Sequence, residues 1–247
     1  MKLPLIGKAA LVTGGSRGIG RATALRLAED GADVTFTFQR QAEQAAEVVT
    51  QIKALGRRAL AVRADSADPA AVRAAVEQAV AEFGRLDILV NNAGTGVGGP
   101  IEETPLEDVD RLLAVNLRAP VVATQTAVRH LSDGGRIINI GSSNAERVPR
   151  PGLTLYALTK AGLIGMTKGL ARDLGPRAIT ANVICVGPVD TDFNPADGPD
   201  APAKAARLAL GRFGEPADVA AMVAHLAGPA GRWITGASIT VDGGANT

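Results

Sequence analysis

Seven short aliphatic runs recur along the chain, at residues 9–13, 33–38, 59–63, 86–91, 136–140, 179–186 and 238–241. Each is close to continuously apolar, the pattern of a strand buried on both faces. Between them lie longer segments rich in Ala, Leu, Glu and Arg, such as 21–29, 42–55 and 69–83, whose apolar positions repeat at helical spacing. Strands of that kind alternating with amphipathic helices point to a parallel sheet covered on both faces. Aromatic residues make up only 3% of the chain and glycines number 29, so the core is expected to be aliphatic and many turns to use glycine. No composition break or long linker divides the sequence, and residues 1–247 read as a single domain. The stretch 187–202 stands out, with Pro188, Pro195, Pro199 and Pro202. It reads equally as a lid over a site and as a mobile surface excursion.

Charge and cysteine content exclude several functions. Lys and Arg total 26 against 25 Asp and Glu, a formal charge of +1, so no broad cationic field exists for nucleic acid. No apolar run approaches the roughly 20 residues needed to span a membrane. Cys185 has no partner for an intramolecular disulfide, and residues 1–8 lack a signal-like apolar core, so a cytoplasmic protein is expected. One cysteine with His130 and His225, distant in sequence, makes no zinc-type cluster, and no metal is expected. Asp190, Asp192, Asp197 and Asp200 read as a solvated acidic loop.

The first strand runs into Thr13-Gly14-Gly15-Ser16-Arg17-Gly18-Ile19-Gly20 and then a helix. Glycines there let a ligand approach the backbone amides, and a helix N-terminus offers free N–H groups to a phosphate. The G-x-x-x-G-x-G spacing departs from the common G-x-G-x-x-G fingerprint, and a strand–helix turn that binds nothing is the plain alternative. The second strand ends Phe38-Gln39-Arg40, without the carboxylate that holds the ribose 2′-hydroxyl of NAD. Arg17 and Arg40 instead suit a 2′-phosphate, which favours NADP(H) over NAD(H).

The chain has one tyrosine, in Tyr156-Ala157-Leu158-Thr159-Lys160, inside an expected helix over 155–174. Four residues apart, the phenol and the ammonium share a helix face. A nearby cation favours phenolate. Lowering the phenol by two to three units requires roughly 3–4 kcal/mol. A phenol so tuned exchanges protons with a reacting oxygen near neutral pH. Ahead of it lie Gly141-Ser142-Ser143 after a strand, Asn91-Asn92-Ala93-Gly94 after another, and Asn116 within an expected helical segment 106–131.

Together with the ending Ile234-Thr235-Gly236…Val241-Asp242-Gly243-Gly244, these motifs resemble the short-chain dehydrogenase/reductase family over essentially the whole chain. The resemblance implies an α/β fold of Rossmann type, a doubly wound seven-stranded parallel sheet with helices on both faces. It implies a catalytic set of Asn116, Ser142, Tyr156 and Lys160, with Tyr156 as general acid toward a carbonyl oxygen. Lys160 would lower its pKa and hold the nicotinamide ribose, while Asn116 would anchor a water relaying protons from Lys160. Cofactor contacts are implied at Gly14, Ser16, Arg17, Gly18, Ile19, Gly20, Arg40, Asp65, Ser66, Asn92, Ala93 and Gly94, and at Gly187, Val189 and Thr191. Strand register selects Ser142, whereas the family's commonest serine-to-tyrosine interval selects Ser143; we take Ser142. Val186-Gly187 stands where the family usually has Pro-Gly, which leaves the lid geometry open. The expected activity is NADPH-dependent reduction of a ketone or 3-oxoacyl compound to an alcohol by a homotetramer. The alternatives are a non-catalytic nucleotide-binding regulatory protein and a dehydratase or epimerase on the same fold.

Overall fold

The computed structural model describes residues 3–247; Met1 and Lys2, part of the stretch read for a signal, lie outside the described residues. Seven strands form one parallel sheet in the order β3-β2-β1-β4-β5-β6-β7. They are β1 (Ala9–Val12), β2 (Asp33–Phe38), β3 (Ala59–Arg63), β4 (Leu86–Asn91), β5 (Leu131–Ile140), β6 (Thr180–Val186) and β7 (Ser238–Val241). The helices are α1 (Gly18–Glu29), α2 (Ala42–Ala54), α3 (Pro69–Phe83), α4 (Leu106–Leu113), α5 (Ala119–Ala127), α6 (Thr154–Leu174), α7 (Ala201–Ala205) and α8 (Pro216–Ala227). Among the described residues no helix is long and apolar enough to cross a membrane.

The continuous apolar strands divide their side chains between two cores. Ala10, Val12, Ile88, Val90 and Ile138 face one side, where they meet Leu27 of α1, Ile52 of α2 and Val223 of α8. Leu11, Leu89 and Ile137, one residue out of step, face the other and meet Val76 of α3 and Val122 of α5. The period-2 pleat makes that division, and it is why central strands such as β1 and β4 read as near-continuous apolar runs. Each large aliphatic side chain buried this way contributes about 1.5–3 kcal/mol.

Local signals set the helix ends. Asp68 accepts from the Ala70 N–H at 2.8 Å with Pro69 opening α3, and Gly84 closes it in the left-handed conformation at φ +73°. The helix expected over 106–131 ends at Ala127, and Leu131 already pairs with Leu86 as the first residue of β5. Arg177 holds that stretch out of the helix. Its guanidinium donates to the Val128 carbonyl at 2.8 Å and to that of Leu131, and it pairs with Asp133 at 3.0 Å. Pairing reverses direction at β1, which lies between β2 and β4, so a crevice opens at the carboxyl ends of these strands.

Candidate active site

All seven strands deliver loops to that edge, and their residues line one cleft of about 850 Å³. Every cofactor residue expected from the sequence borders it, as do Ser142, Tyr156 and Lys160; Asn116 lies beneath, fully buried.

The glycine turn is built by close approach. A Cβ on Gly20 would sit 2.1 Å from the Gly14 carbonyl oxygen, and Gly14 itself has φ +68°. No larger residue fits either place without moving backbone. Asn92 clamps the turn from β4, donating from Nδ2 to the carbonyls of Thr13 at 2.8 Å and Gly14 at 2.9 Å. The Thr13 hydroxyl accepts from the N–H groups of Asn92 and Ala93, each at 3.0 Å, and Thr37 Oγ1 accepts from Gly14 at 2.9 Å. Sequence reasoning gave Thr13 and Thr37 no role; a hydroxyl at the end of an otherwise apolar strand was the available signal. Arg17 precedes α1 in an extended conformation with no side-chain cap, which leaves the first N–H groups of the helix free for an anion. Arg40 is exposed on the cleft, its side chain hydrogen-bonds nothing among the described residues, and no carboxylate closes β2. A Cβ-free cradle, an uncapped helix and an unpaired guanidinium fit a dinucleotide that carries a 2′-phosphate. Asp65 uses Oδ1 to accept from Ala67 N–H at 2.9 Å, which fixes the turn after β3.

The 187–202 loop crosses this cleft. Thr191 Cγ2 lies 3.2 Å from where a Gly18 Cβ would stand, and Asp192 pairs with Arg17 at 3.4 Å. Phe193 packs beside Gly96, next to Tyr156. Gly187 is forced: a Cβ there would come within 2.6 Å of Asp242 Cα. Helix α7, at the loop's end, had no periodic signal in so short a proline-bearing stretch.

At the other end of the cleft, Tyr156 stands on the first turns of α6 and lines the same cleft as Ser142, whose hydroxyl favours the ionised phenol. Ser143 lines the cleft as well, and its carbonyl accepts from Asn246 Nδ2 at 3.1 Å. The phenol does not have the lowered pKa expected from the sequence. Burial raises it above the ordinary 10.0, and the Ser142 hydrogen bond offsets only part of that. Lys160 accounts for the difference. Its Nζ lies 5.8 Å from the Tyr156 ring centre and donates to the Ile140 carbonyl at 2.9 Å. Burial pushes this ammonium down to about 8, with no carboxylate beside it.

The Asn116 side chain is engaged within the fold. Its Nδ2 donates to the Thr95 carbonyl at 2.9 Å and to Thr159 Oγ1 at 3.1 Å, while Oδ1 accepts from Thr95 N–H at 2.9 Å. The side chain thus tethers the loop after β4 to α6, and both its donors are engaged, so it is not a free anchor for water. The helix meanwhile widens to a π turn over Ala114–Arg118. Pro120 has no N–H to give the Asn116 carbonyl four residues earlier, so that oxygen is released from ordinary helical bonding. A proline four residues after the asparagine was the readable signal.

Cys185 is packed in the core with Sγ 3.2 Å from Ser238 Oγ, and burial pushes its thiol up. Among the described residues no group of three or more His, Cys, Asp or Glu converges as a metal site.

Comparison with known proteins agrees with this geometry. Residues 14–246 match the family model described as enoyl-(acyl carrier protein) reductase. The cyclic-di-GMP-binding biofilm dispersal mediator protein of Escherichia coli K12 is 47% identical, over 96% of each chain. A short-chain dehydrogenase from Burkholderia cenocepacia J2315, solved with NADP, is 57% identical at TM-score 0.98, covering 99% of this chain and 100% of that one. A blue fluorescent protein from a metagenomic library, solved with NADPH, is 56% identical at TM-score 0.98 with the same coverage. The glycine turn, the Ser–Tyr–Lys arrangement and these likenesses over nearly the full length converge, and the chain belongs to the short-chain dehydrogenase/reductase family of oxidoreductases.

Proposed function

We propose that the protein is an NADPH-dependent carbonyl reductase, with NADP(H) preferred over NAD(H). The observation that carries this reading is the convergence of Ser142, Tyr156 and Lys160 on the same cleft as the glycine turn. When bound, the cofactor supplies the hydride. Tyr156, its phenol kept protonated near neutral pH by burial, donates its proton to the carbonyl oxygen. The Ser142 hydroxyl donates a hydrogen bond to that oxygen and shares its developing negative charge. Lys160 keeps donors beyond its bond to Ile140; these would hold the nicotinamide ribose. The Asn116 carbonyl, freed by the π turn, would hold the water that links Lys160 to solvent in a proton relay. Arg17, Arg40 and the open end of α1 would hold the phosphates, and residues 187–202 serve as the lid of a single domain.

The structures of two proteins more than 50% identical, one with NADP and one with NADPH, support the cofactor preference. Loss of NADPH absorbance against a panel of ketones tests the reaction, with NADH in parallel. Arg40→Ala is expected to weaken NADPH binding about ten-fold or more and leave NADH unchanged. Equal affinity for the two cofactors, unaffected by this substitution, would refute the phosphate pocket.

A homotetramer is part of the same proposal, supported by exposed apolar residues on two long helices, Val121 on α5 and Leu158 on α6, and by Trp233, 94% exposed. Light scattering reads the assembly. A cytoplasmic location is proposed from the single cysteine, and cell fractionation tests it. The regulatory reading is favoured by one observation, the name of the E. coli relative. Tight cyclic di-GMP binding without oxidation of NADPH by any ketone would favour it.

A further inference from the structure

We infer that the carbonyl substrate is itself an anion, a keto compound whose carboxylate or phosphate is held at the mouth of the cleft by Arg111, Arg147, Arg150, Lys204 and Arg207. This rests on the carbonyl-reductase reading and adds a substrate class to it.

The whole chain is nearly neutral, yet eight cationic side chains line this cleft against only two carboxylates, Asp65 and Asp192. Asp192 already pairs with Arg17, and Asp65 is held in its own turn at the opposite end. Setting aside Arg17 and Arg40 near the glycine turn and Lys160 at the centre leaves the five named residues. They arrive from separate parts of the chain: Arg111 from α4, Arg147 and Arg150 from the loop after β5, Lys204 from α7, and Arg207 just beyond it. Among the described residues none of the five forms an ion pair. Arg147 donates to the carbonyls of Ala245 and Thr247, Arg150 to that of Pro151, and Lys204 to the amide oxygen of Asn194. The side chains of Arg111 and Arg207 hydrogen-bond nothing among the described residues.

Like charges that line one cleft repel one another, and a ligand of opposite charge relieves that repulsion. Guanidinium groups are suited to this task, because their fixed fork matches two oxygens of a carboxylate or phosphate. A cleft lined by one sign of charge also concentrates its ligand and speeds association. The same cleft also has apolar lining from Val97, Val115, Leu153, Phe193 and Leu208. The matching substrate has an anionic head, an aliphatic or aromatic stem and a ketone at the far end.

Initial rates with 6-oxoheptanoate and its methyl ester, at low and high ionic strength, test the inference. The acid is expected to exceed the ester at least ten-fold in kcat/KM at low salt. The advantage should lie in KM and shrink as salt rises. The acid-to-ester ratio is expected to fall at least ten-fold in Arg111→Gln/Arg207→Gln, whose side chains hold nothing in the fold. Circular dichroism checks that this variant is folded, and Arg111→Gln alone serves as a second probe. Turnover of the ester with no advantage for the acid overturns this inference and leaves the carbonyl-reductase reading intact. If neither ketone turns over, calorimetry of 6-oxoheptanoate with the NADPH-loaded protein decides. Salt-dependent binding lost in the double variant supports the inference, and absence of binding overturns it. Cyclic di-GMP is titrated in parallel. Binding that requires these arginines, with no advantage for the acid, assigns the cations to a nucleotide and overturns the substrate claim.

Discussion

Replacing Lys160 with methionine is expected to make the protein more stable while abolishing its chemistry. The two side chains have similar length, so methionine fills the space left by the stem. Burial holds the ammonium at about 8 against an ordinary value of 10.5. At about 1.36 kcal/mol per unit, keeping the lysine charged in the folded state at pH 7 costs about 3 kcal/mol. The variant loses the hydrogen bond to the Ile140 carbonyl, which returns about 1 kcal/mol. A net gain of about 2 kcal/mol remains, or about 4–8 °C in Tm for a chain of this size. The pH dependence separates this cause from better packing. Because the folded pKa lies below the unfolded one, the penalty is fully present below pH 8. Between the two values the unfolded chain binds more protons, so wild-type stability rises with pH and the penalty fades toward pH 10.5. The gap between variant and wild type should therefore shrink by about 2 kcal/mol between pH 7 and pH 9.5. Urea denaturation followed by circular dichroism at both pH values measures it. A variant less stable than wild type at pH 7, or a gap independent of pH, would refute the reasoning.

Gly20→Ala is expected to lower stability by about 3 kcal/mol and weaken NADPH binding at least ten-fold, because its Cβ would meet the Gly14 carbonyl oxygen at 2.1 Å; an unchanged Tm would contradict this. Ser142→Ala should lower kcat about a hundred-fold and Ser143→Ala much less, and the reverse order in steady-state rates would assign the hydroxyl role to Ser143. Tyr156 is the chain's single tyrosine, so phenolate absorbance in a spectrophotometric titration reports it alone. In the protein without cofactor the midpoint should lie above the ordinary 10.0, and a midpoint below that value would restore the ammonium as the dominant influence.

What the sequence makes legible is whatever a single segment encodes. The continuous aliphatic run at 86–91 can only be a strand buried on both faces, and the structure makes it β4 at the centre of the sheet. The glycine turn is equally local, since close approach of Gly20 to Gly14 leaves its mark on residue type. Leu131 was misread because one apolar residue fits a helical or an extended period, and only tertiary contacts with Arg177 decide. The π turn hides inside a helix for the same reason, although Pro120 marks it. Buried Asn91, which donates to Asn139 at 2.9 Å, and Asn139, which donates to Thr167 at 2.9 Å, tie β4, β5 and α6 together through polar residues that a hydrophobic pattern ignores. Spacing alone put the Lys160 ammonium beside the Tyr156 phenol, but the α-helical face is shared with the Ile140 carbonyl, which takes the lysine instead. The arginines at the cleft mouth are scattered in sequence, and their convergence exists only in three dimensions.

The account depends most on Tyr156 as the proton donor. Phenylalanine at this position removes the hydroxyl and keeps the ring, so NADPH affinity should persist while kcat for ketone reduction falls about a thousand-fold. Single-turnover oxidation of bound NADPH by excess ketone measures this directly. A rate matching wild type in Tyr156→Phe would contradict the account.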